Sequence, residues 1–371
     1  MLSLDSATLR HRLSLAACCL TGVLVAGCDS KAPDPKAATV SPEATAPEQA
    51  DAPNQSAAQT TAAQTAAAQT TTALESAGAK LTRDASGAVT IVDLRGCKLS
   101  AGVTDEVAKL TTLQQLDVRE CELSNAQLTT MVTPLTKLRA LRLSGKGGAT
   151  TVDDDGLAAL ATCTDLRVLA ADELWFSEDG LKKLSGCKNL TELYIAATLI
   201  EDAAMPSVAT FKQLKKLRLA RTTISSVGLK ALADLKLEDL DLSECSQIND
   251  AAMEDVAKFT TLKRLNLWRD PISDEGCSKL AGLKQLTWYN LDNTQLTDAG
   301  LDHLSGMTEL TFLHLGSTGV SDAGMPKLLG LTKLKDLKVT RTAVTETGAK
   351  LLTDKIPSLE VQVKYREDPQ Q

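Results

Sequence analysis

Aromatic residues are scarce in this 371-residue chain: three Trp, three Tyr and four Phe. Its 43% apolar content comes instead from Leu, Ala, Val and Ile, which points away from an aromatic-centred core and toward many thin, similar layers. Basic runs are absent and the net charge is −7, which argues against a nucleic-acid partner, because phosphate binding needs a basic stripe. None of the nine cysteines forms a C-x-x-C pair, so a zinc site has no support. The sequence holds no H-E-x-x-H, no G-x-S-x-G and no Cys/His pairing, and its histidines are His11, His303 and His314. Nucleophilic and zinc-dependent hydrolysis therefore lack their parts, and no cofactor or metal motif is present. His303 lies beside Asp302 on a predicted helix, where exposure is expected.

Residues 1–12 carry Arg10 and Arg12 against Asp5, and the uncharged run "LSLAACCLTGVLVAG" follows from Leu13 to Gly27. A charged start, a short apolar stretch and small residues at its end read as a secretory signal. At fifteen residues the run is too short for a comfortable membrane span. The end of the run, "LVAGC" at Leu24–Cys28, resembles the lipobox of bacterial lipoproteins. That resemblance implies diacylglycerylation of the Cys28 sulfur, cleavage before it, and anchoring in the bacterial cell envelope on the far side of the inner membrane. Two or three acyl chains hold a protein at a membrane stably where one does not. Asp29 is the residue that retains lipoproteins at the inner membrane in some bacteria, and the leaflet stays open. The plainer alternative is an ordinary signal with a chance cysteine.

Residues 28–73 are nearly all Ala, Thr, Pro, Gln, Ser, Asp and Glu, as in "AAQTTAAQTAAAQTTT". Such a segment buries too little apolar area to offset its ordering entropy, and is expected to be a disordered tether. Flexible-chain scaling gives it a reach of roughly 40 Å.

From about residue 74 the chain repeats itself. "LTELYIAATLIEDAAMPSVATFKQ" (190–213), "LKRLNLWRDPISDEGCSKLAGLKQ" (262–285), "LTWYNLDNTQLTDAGLDHLSGMTE" (286–309) and "LTFLHLGSTGVSDAGMPKLLGLTK" (310–333) align end to end. The opening L-x-x-L-x-L, with conservative swaps, starts at 89, 113, 138, 166, 190, 214, 237, 262, 286, 310 and 334, and a terminal variant, "IPSLEV", starts at Ile356. This resembles the leucine-rich repeat, whose ninth position is usually Asn or Cys. Here that position holds Cys97, Cys121 and Cys245, or Thr198, Thr222, Thr294, Thr318 and Thr342. "LEDLDLSECSQINDAAM" resembles the cysteine-containing subtype of eukaryotic F-box proteins, and the Thr form resembles bacterial repeat proteins of the ribonuclease-inhibitor-like class. The resemblance implies an α/β solenoid (a horseshoe) of about 11 repeats of about 24 residues. Its parallel sheet would line the concave face and its helices the convex one. The predicted organisation is a signal at 1–27, the tether at 28–73, the repeat domain with its caps at 74–365, and a tail at 366–371. Residues 73–94 read as a capping helix and a hairpin turning at Ala85-Ser86-Gly87, and the C-terminal segment supplies a last strand.

"TDAGL" at 297–301 and "SDAGM" at 321–325 could be metal or phosphate loops, or structural punctuation. Ser or Thr is a preferred helix N-cap, and Asp in the first turn complements the helix dipole. A helical L-x-x-L-x-x-L pattern follows each motif, so Ser273-Asp274, Thr297-Asp298 and Ser321-Asp322 read as helix starts. "SGKGGATTVDDDG" (144–156) lacks the G-x-x-x-x-G-K-[ST] order of a phosphate loop. In register it is a loop insertion with Val152 in the core and Asp153-Asp154 at a helix start; calcium binding by its aspartates is a weaker alternative. The six late cysteines, Cys97, Cys121, Cys163, Cys187, Cys245 and Cys277, all fall on expected core positions and read as buried thiols. Cys97–Cys121 and Cys163–Cys187 lie in stacked neighbours, where a disulfide is the less favoured option.

With leucines inward at positions one, four and six, positions three, five and seven face outward. Position five is mixed in sign, which argues against a polyionic ligand. Trp288 and Phe312 hold position three of adjacent units and are expected side by side and exposed, with Trp268 one unit earlier and Tyr194 further away. Exposed aromatics on a broad curved face are typical binding anchors. The candidate patch is Arg264, Asn266, Trp268, Trp288, Asn290, Phe312 and His314, although the aromatics could equally do no more than cover the sheet. The expected function is non-catalytic: a lipid-anchored module recognising a protein, or a glycan, on its concave face. A structural envelope protein without a discrete ligand is one rival. An effector or ubiquitin-ligase-type substrate receptor is another, weakened by the lipobox and the lack of an F-box segment.

Overall fold

A computed structural model of the chain describes residues 70–148 and 150–364. The signal, Cys28, nearly all of the tether and the tail from 365 lie outside the described residues. Among those described, one 13-stranded sheet runs in strict chain order. β1 (Lys80–Arg83) and β2 (Val89–Asp93) form an antiparallel hairpin, and every later pairing is parallel, from β3 (Gln115–Asp117) through β12 (Asp336–Lys338) to β13 (Glu360–Gln362). The hairpin turns where the sequence placed it. Asp84 Oδ1 accepts from the Ser86 and Ala88 amides at 2.9 and 3.1 Å, and Gly87 takes a φ of +85° that a side chain would disfavour.

Each opening from 89 to 334 lies on a strand, and its fourth position pairs in register with the next, as in Leu116↔Leu141, Leu265↔Tyr289 and Tyr289↔Leu313. These side chains are fully buried, while positions three and five mostly stay half-buried on the open face. Short α- or 3-10 helices, such as Asp274–Leu280 and Asp322–Leu328, return the chain to the next strand. At position eight the chain leaves the sheet through the left-handed region. Glu173, Ala197, Arg221, Arg269, Asn293 and Ser317 all have φ of 52–62°. That conformation costs an L-residue about 1–2 kcal/mol. Each such amide recovers a bond to a carbonyl of the following unit, as Asn293 N–H does to Gly316 O at 2.8 Å. At position nine the Thr hydroxyls of 222, 294, 318 and 342 donate to the carbonyl three residues back at 2.6–2.7 Å.

The S/T-D-x-G motif does more than start helices. Its aspartate reaches forward to the cap of the next unit. Asp298 accepts from the Ser321 amide at 2.8 Å and from its hydroxyl at 2.5 Å. Asp154 does the same to Ser177, Asp202 to Ser225, Asp250 to Ser273, Asp274 to Thr297 and Asp322 to Thr345. The glycine three residues beyond each of these caps is required by the same carboxylate. A Cβ on Gly180, Gly228, Gly276, Gly300, Gly324 or Gly348 would crowd the preceding unit's Asp Oδ1. Where the preceding unit has Glu178 or Ser226 at that place the glycine is replaced by Ala204 or Ala252, whereas Asn125, whose Oδ1 takes the aspartate's part, still faces a glycine, Gly156. The motif is thus a clasp between units.

The three aspartates of the loop insertion are engaged by the protein itself. Asp153 bonds the Asn125 amide at 2.6 Å, Asp154 forms the clasp to Ser177, and Asp155 pairs with Lys183 at 2.8 Å. Val152 is in the core, as the register requires. Five of the six late cysteines are buried free thiols, raised well above their ordinary value by burial where a shift is resolved, such as Cys245 at about 12. Cys97 departs from the expectation: it is half-buried, because the layer before it is a hairpin rather than a full repeat. The terminal strand is also displaced from the sequence reading. Val361, not Leu359, lies opposite Leu337, and Ile356 and Leu359 instead close the base of the core. His303 is half-buried on the helix Leu301–Leu304 rather than exposed.

Two side chains in the units beginning at 262 and 286 strain the core. Tyr289 fills a fourth position, and its buried hydroxyl finds no nitrogen or oxygen partner among the described residues, only the neighbouring Cys277 thiol. Asp270 occupies a ninth position; its Oδ1 accepts from the Cys245 amide at 2.8 Å and its Oδ2 is buried and unpaired. Burial pushes the Asp270 carboxyl up to about 9, so the fold holds it protonated at neutral pH.

Two predictions follow from these contacts. Gly348→Ala is expected to destabilise the chain by about 1–3 kcal/mol through overlap with Asp322. In an Asp322→Ser background the same change should cost clearly less; equal costs in a thermal double-mutant cycle would contradict the clasp. For Asp270, the folded state binds more protons than the unfolded state between the unfolded value of about 3.9 and the folded value of about 9. Stability therefore drains as pH rises across that window. The Asp270→Asn chain should melt several degrees above the native chain at pH 8, with the gap closing toward pH 5. A gap that does not change with pH would refute the buried-acid reading.

Candidate binding surface

The open face is a grid whose rows are positions three, five and seven. Over the first units its charges cancel locally. Arg95 and Arg119 hold Asp93 and Asp117 at 2.8 and 2.7 Å. Arg218 bridges Asp172 and Asp241 at 2.9 and 3.1 Å, and Lys216 pairs with Glu192 at 2.8 Å. Tyr194, an expected aromatic of this face, donates its hydroxyl to Glu192 at 2.8 Å and is bound into that network.

From the strand Arg264–Asn266 onward the character changes. Parallel pairing sets Arg264, Trp288 and Phe312 in one row and Asn266, Asn290 and His314 in the next. Trp288 and Phe312 stack with ring centroids 5.0 Å apart and planes within 5°. That separation matches the spacing of neighbouring strands, so the rings stand upright on the sheet like adjacent cards. The column is closed at both ends: the Arg264 guanidinium lies 4.3 Å from the Trp288 ring and the Lys338 ammonium 5.6 Å from that of Phe312. Arg264 is braced from behind by Asp239 at 3.2 Å. The two rings are consequently half-buried rather than exposed as expected, because each covers a face of the other. Trp268 sits on the turn one unit earlier, beside Arg269 at 5.4 Å, and its amide donates to Asn266 Oδ1 at 3.3 Å. All seven sequence-derived residues thus fall on one stretch of three units.

Asp292 and Gly316 of the same stretch, and Lys338 and Thr340 of the unit that follows it, were not singled out from the sequence. His314 Nε2 stands 4.0 Å from Asp292 Oδ2, and burial lowers the imidazole's affinity for a proton against the pull of that carboxylate. Away from this face, Trp175 and Leu199 project from the tenth positions of adjacent units and are 66% and 56% exposed. Their signal in the sequence is size: other units place Thr223, Gln295, Gly319 or Ala343 there. Among the described residues no group of three His, Cys, Asp or Glu side chains could hold a metal ion, and no helix is long and apolar enough to cross a membrane.

A leucine-rich repeat family model matches residues 213–233. No curated protein sequence matches the chain. Among solved structures, an internalin from Listeria monocytogenes is similar at 22% identity and a TM-score of 0.52, over 76% of this chain and 83% of that one. A structure of the yeast Rad7 and Elc1 complex matches at 17% identity and a TM-score of 0.50, over 70% of this chain and 77% of the other. The fold is that of a leucine-rich-repeat solenoid, an architecture commonly used to bind other proteins.

If stacking holds the column together, Trp288→Ala and Phe312→Ala should be coupled. A thermal double-mutant cycle is expected to give a coupling of about 0.5–1.5 kcal/mol. Strict additivity would mean that the rings only share a neighbourhood.

Proposed function

We propose that this chain is a lipid-anchored, non-catalytic module of the bacterial cell envelope that binds a protein partner on the open, concave face of its solenoid. The binding site is the stretch carrying Arg264, Asn266, Trp268, Trp288, Asn290, Phe312 and His314. The observation that carries this reading is the contrast along one face. The early units neutralise their own charges, whereas the later ones present upright aromatic rings between uncharged amides. Aromatic anchors in partly desolvated surroundings are where interface energy concentrates. Asp270 and Tyr289, the two core groups left short of polar partners, lie in the same units, as expected where stability has been given up for a surface.

A protein partner is favoured over a glycan. Sugar recognition by aromatic rings uses their faces, and here the faces are taken by Arg264, each other and Lys338. What remains available is ring edge, amide and carboxylate, the groups that peptide side chains and backbone engage. The anchor and the envelope location rest on the signal-like start and "LVAGC" at Leu24–Cys28. A yeast protein of similar fold in complex with another protein fits the substrate-receptor alternative, but the lipobox favours the envelope.

The full chain, used as bait on detergent-solubilised envelopes, is expected to capture a partner that the Trp288→Ala/Phe312→Ala chain loses while remaining folded. Identical captures, or none, would move the role to another surface or to a structural one. In parallel, Cys28→Ser should shift the protein from the membrane pellet to the soluble fraction; an unchanged distribution would remove the anchor.

A further inference from the structure

Because the strands after β1 run parallel, every loop that leads from a helix into a strand lies on one edge of the sheet, and every turn that leaves a strand lies on the other. The two edges differ in charge. The entry edge carries Arg139, Arg167, Lys188, Lys212, Lys284 and Lys335, all exposed and none in an ion pair among the described residues. The acids of its loops are fewer: Glu238 is held by Lys215 and Lys263, Glu309 by Lys333 and Asp354 by Lys350, which leaves Asp165 and Asp234. The exit edge carries the clasp aspartates and, beside them, the exposed Glu122, Asp155, Asp179, Glu201 and Glu275. Lys98 and Lys146 stand on that edge as exposed exceptions. The net charge of −7 therefore conceals a separation of charge across the sheet.

The basic rim follows the strand order. From the loop before Ala140 to the loop before Asp336 it extends on the order of 40 Å at the spacing of parallel strands. The chain coming from Cys28 joins the domain at the same edge. The helix 70–76 begins with Thr70, buried beside the Glu106 carboxylate, which also holds Lys109 at 2.7 Å. That is where the helix Ala101–Ala108 gives way to the entry loop before Gln115. From there the chain runs to the exit edge, where Gly78 lies against the Cys97 sulfur. The segment expected from the sequence to be a tether thus attaches on the basic side.

We propose that the entry edge is a membrane-facing surface, which rests the repeat domain on the anionic phospholipid headgroups of the bilayer that holds the Cys28 anchor. Each Lys or Arg brought within a Debye length of such a surface multiplies affinity about fivefold. The same field repels the acidic edge, so one orientation is favoured, with the strands rising from the membrane. The row of Trp288 and Phe312 then faces sideways and stays open to a partner. A lipid surface fits the rim better than a nucleic acid does. It is met by one edge alone, it lies where the tether attaches, and no exposed aromatic ring stands on the rim to stack on a base. The inference rests on the reading of the chain as a lipid-anchored module and adds to it how the module is held.

The Cys28→Ser chain, which cannot be acylated at that position, is sedimented with vesicles of phosphatidylcholine alone and of phosphatidylcholine with an equal part of phosphatidylglycerol. In dilute buffer it is expected to bind the anionic vesicles at least about tenfold more tightly than the neutral ones, and near-molar salt should abolish the difference. Adding Lys188→Glu and Lys212→Glu should weaken binding to the anionic vesicles at least about tenfold. Adding Lys98→Glu and Lys146→Glu instead makes the same change of net charge on the exit edge and should leave binding nearly unchanged, with thermal melts showing both chains folded. Equal losses from the two pairs, or equal binding or none to the two kinds of vesicle, would overturn the membrane-facing rim. Tighter binding to duplex DNA than to anionic vesicles at the same salt would overturn it as well. The anchor is tested apart from the rim, by fractionating cells in high-salt washes that release a purely electrostatic contact. If Cys28→Ser frees the protein there while the vesicles fail to bind, the anchor stands and the rim falls. Vesicle binding by the rim with no effect of Cys28→Ser on fractionation would do the reverse.

Discussion

Everything on the open face depends on the fixed offset between one unit and the next, and that offset is set twice. On one side the fourth-position side chains pair strand to strand; on the other, an aspartate of each clasped unit holds the helix cap of its successor. A solenoid unit contacts little beyond its neighbours, so an error in one step would propagate along the array. The clasp is demanding because it fixes three features at once: the carboxylate, the receiving Ser or Thr, and the absence of a side chain at the following glycine. The substitution of Ala204 and Ala252 where Glu178 or Ser226 stands in the aspartate's place shows the same constraint released.

That rigid offset is what allows side chains twenty-four residues apart to behave as one surface. Trp288 and Phe312 stack because consecutive strands place them one strand spacing apart; Arg264 closes one end from the same row, and Lys338, which lies opposite His314 on the next strand, covers the other from the neighbouring row. Preorganisation of this kind reduces the ordering cost of binding, since large side chains already have their positions. The early units use the same geometry differently: their arginines and aspartates saturate each other, leaving little charge for a partner.

Much of this was legible in the sequence because burial recurs with the repeat. The strand positions, the hairpin turn and the membership of the patch all follow from counting residues from each opening leucine. What was not legible is relational. The partner of Asp298 is Ser321 in the next unit, so the motif read alone suggested only a helix start. The orientation of the Trp288 and Phe312 rings depends on what flanks them, and counting predicted exposure where the structure has mutual cover. Gly316 carries no side chain to notice, and what excludes one is the crowding of three polar atoms around it. The register of the last strand escaped because the spacing from Leu359 to Val361 is one residue shorter than that from Leu334 to Leu337. Trp175 and Leu199 escaped because they sit on the turn, outside the rows that define the face.

The central claim is that the face around Trp288 and Phe312 meets another protein. Site-specific photocrosslinking in living cells tests it most directly, with a photoreactive residue placed at Asn290 in the middle of the patch and, in a second strain, at the exposed Val227 on a helix. A discrete protein adduct from position 290 and none from position 227 is the expected result. Adducts from 227 alone, or from neither, would contradict it.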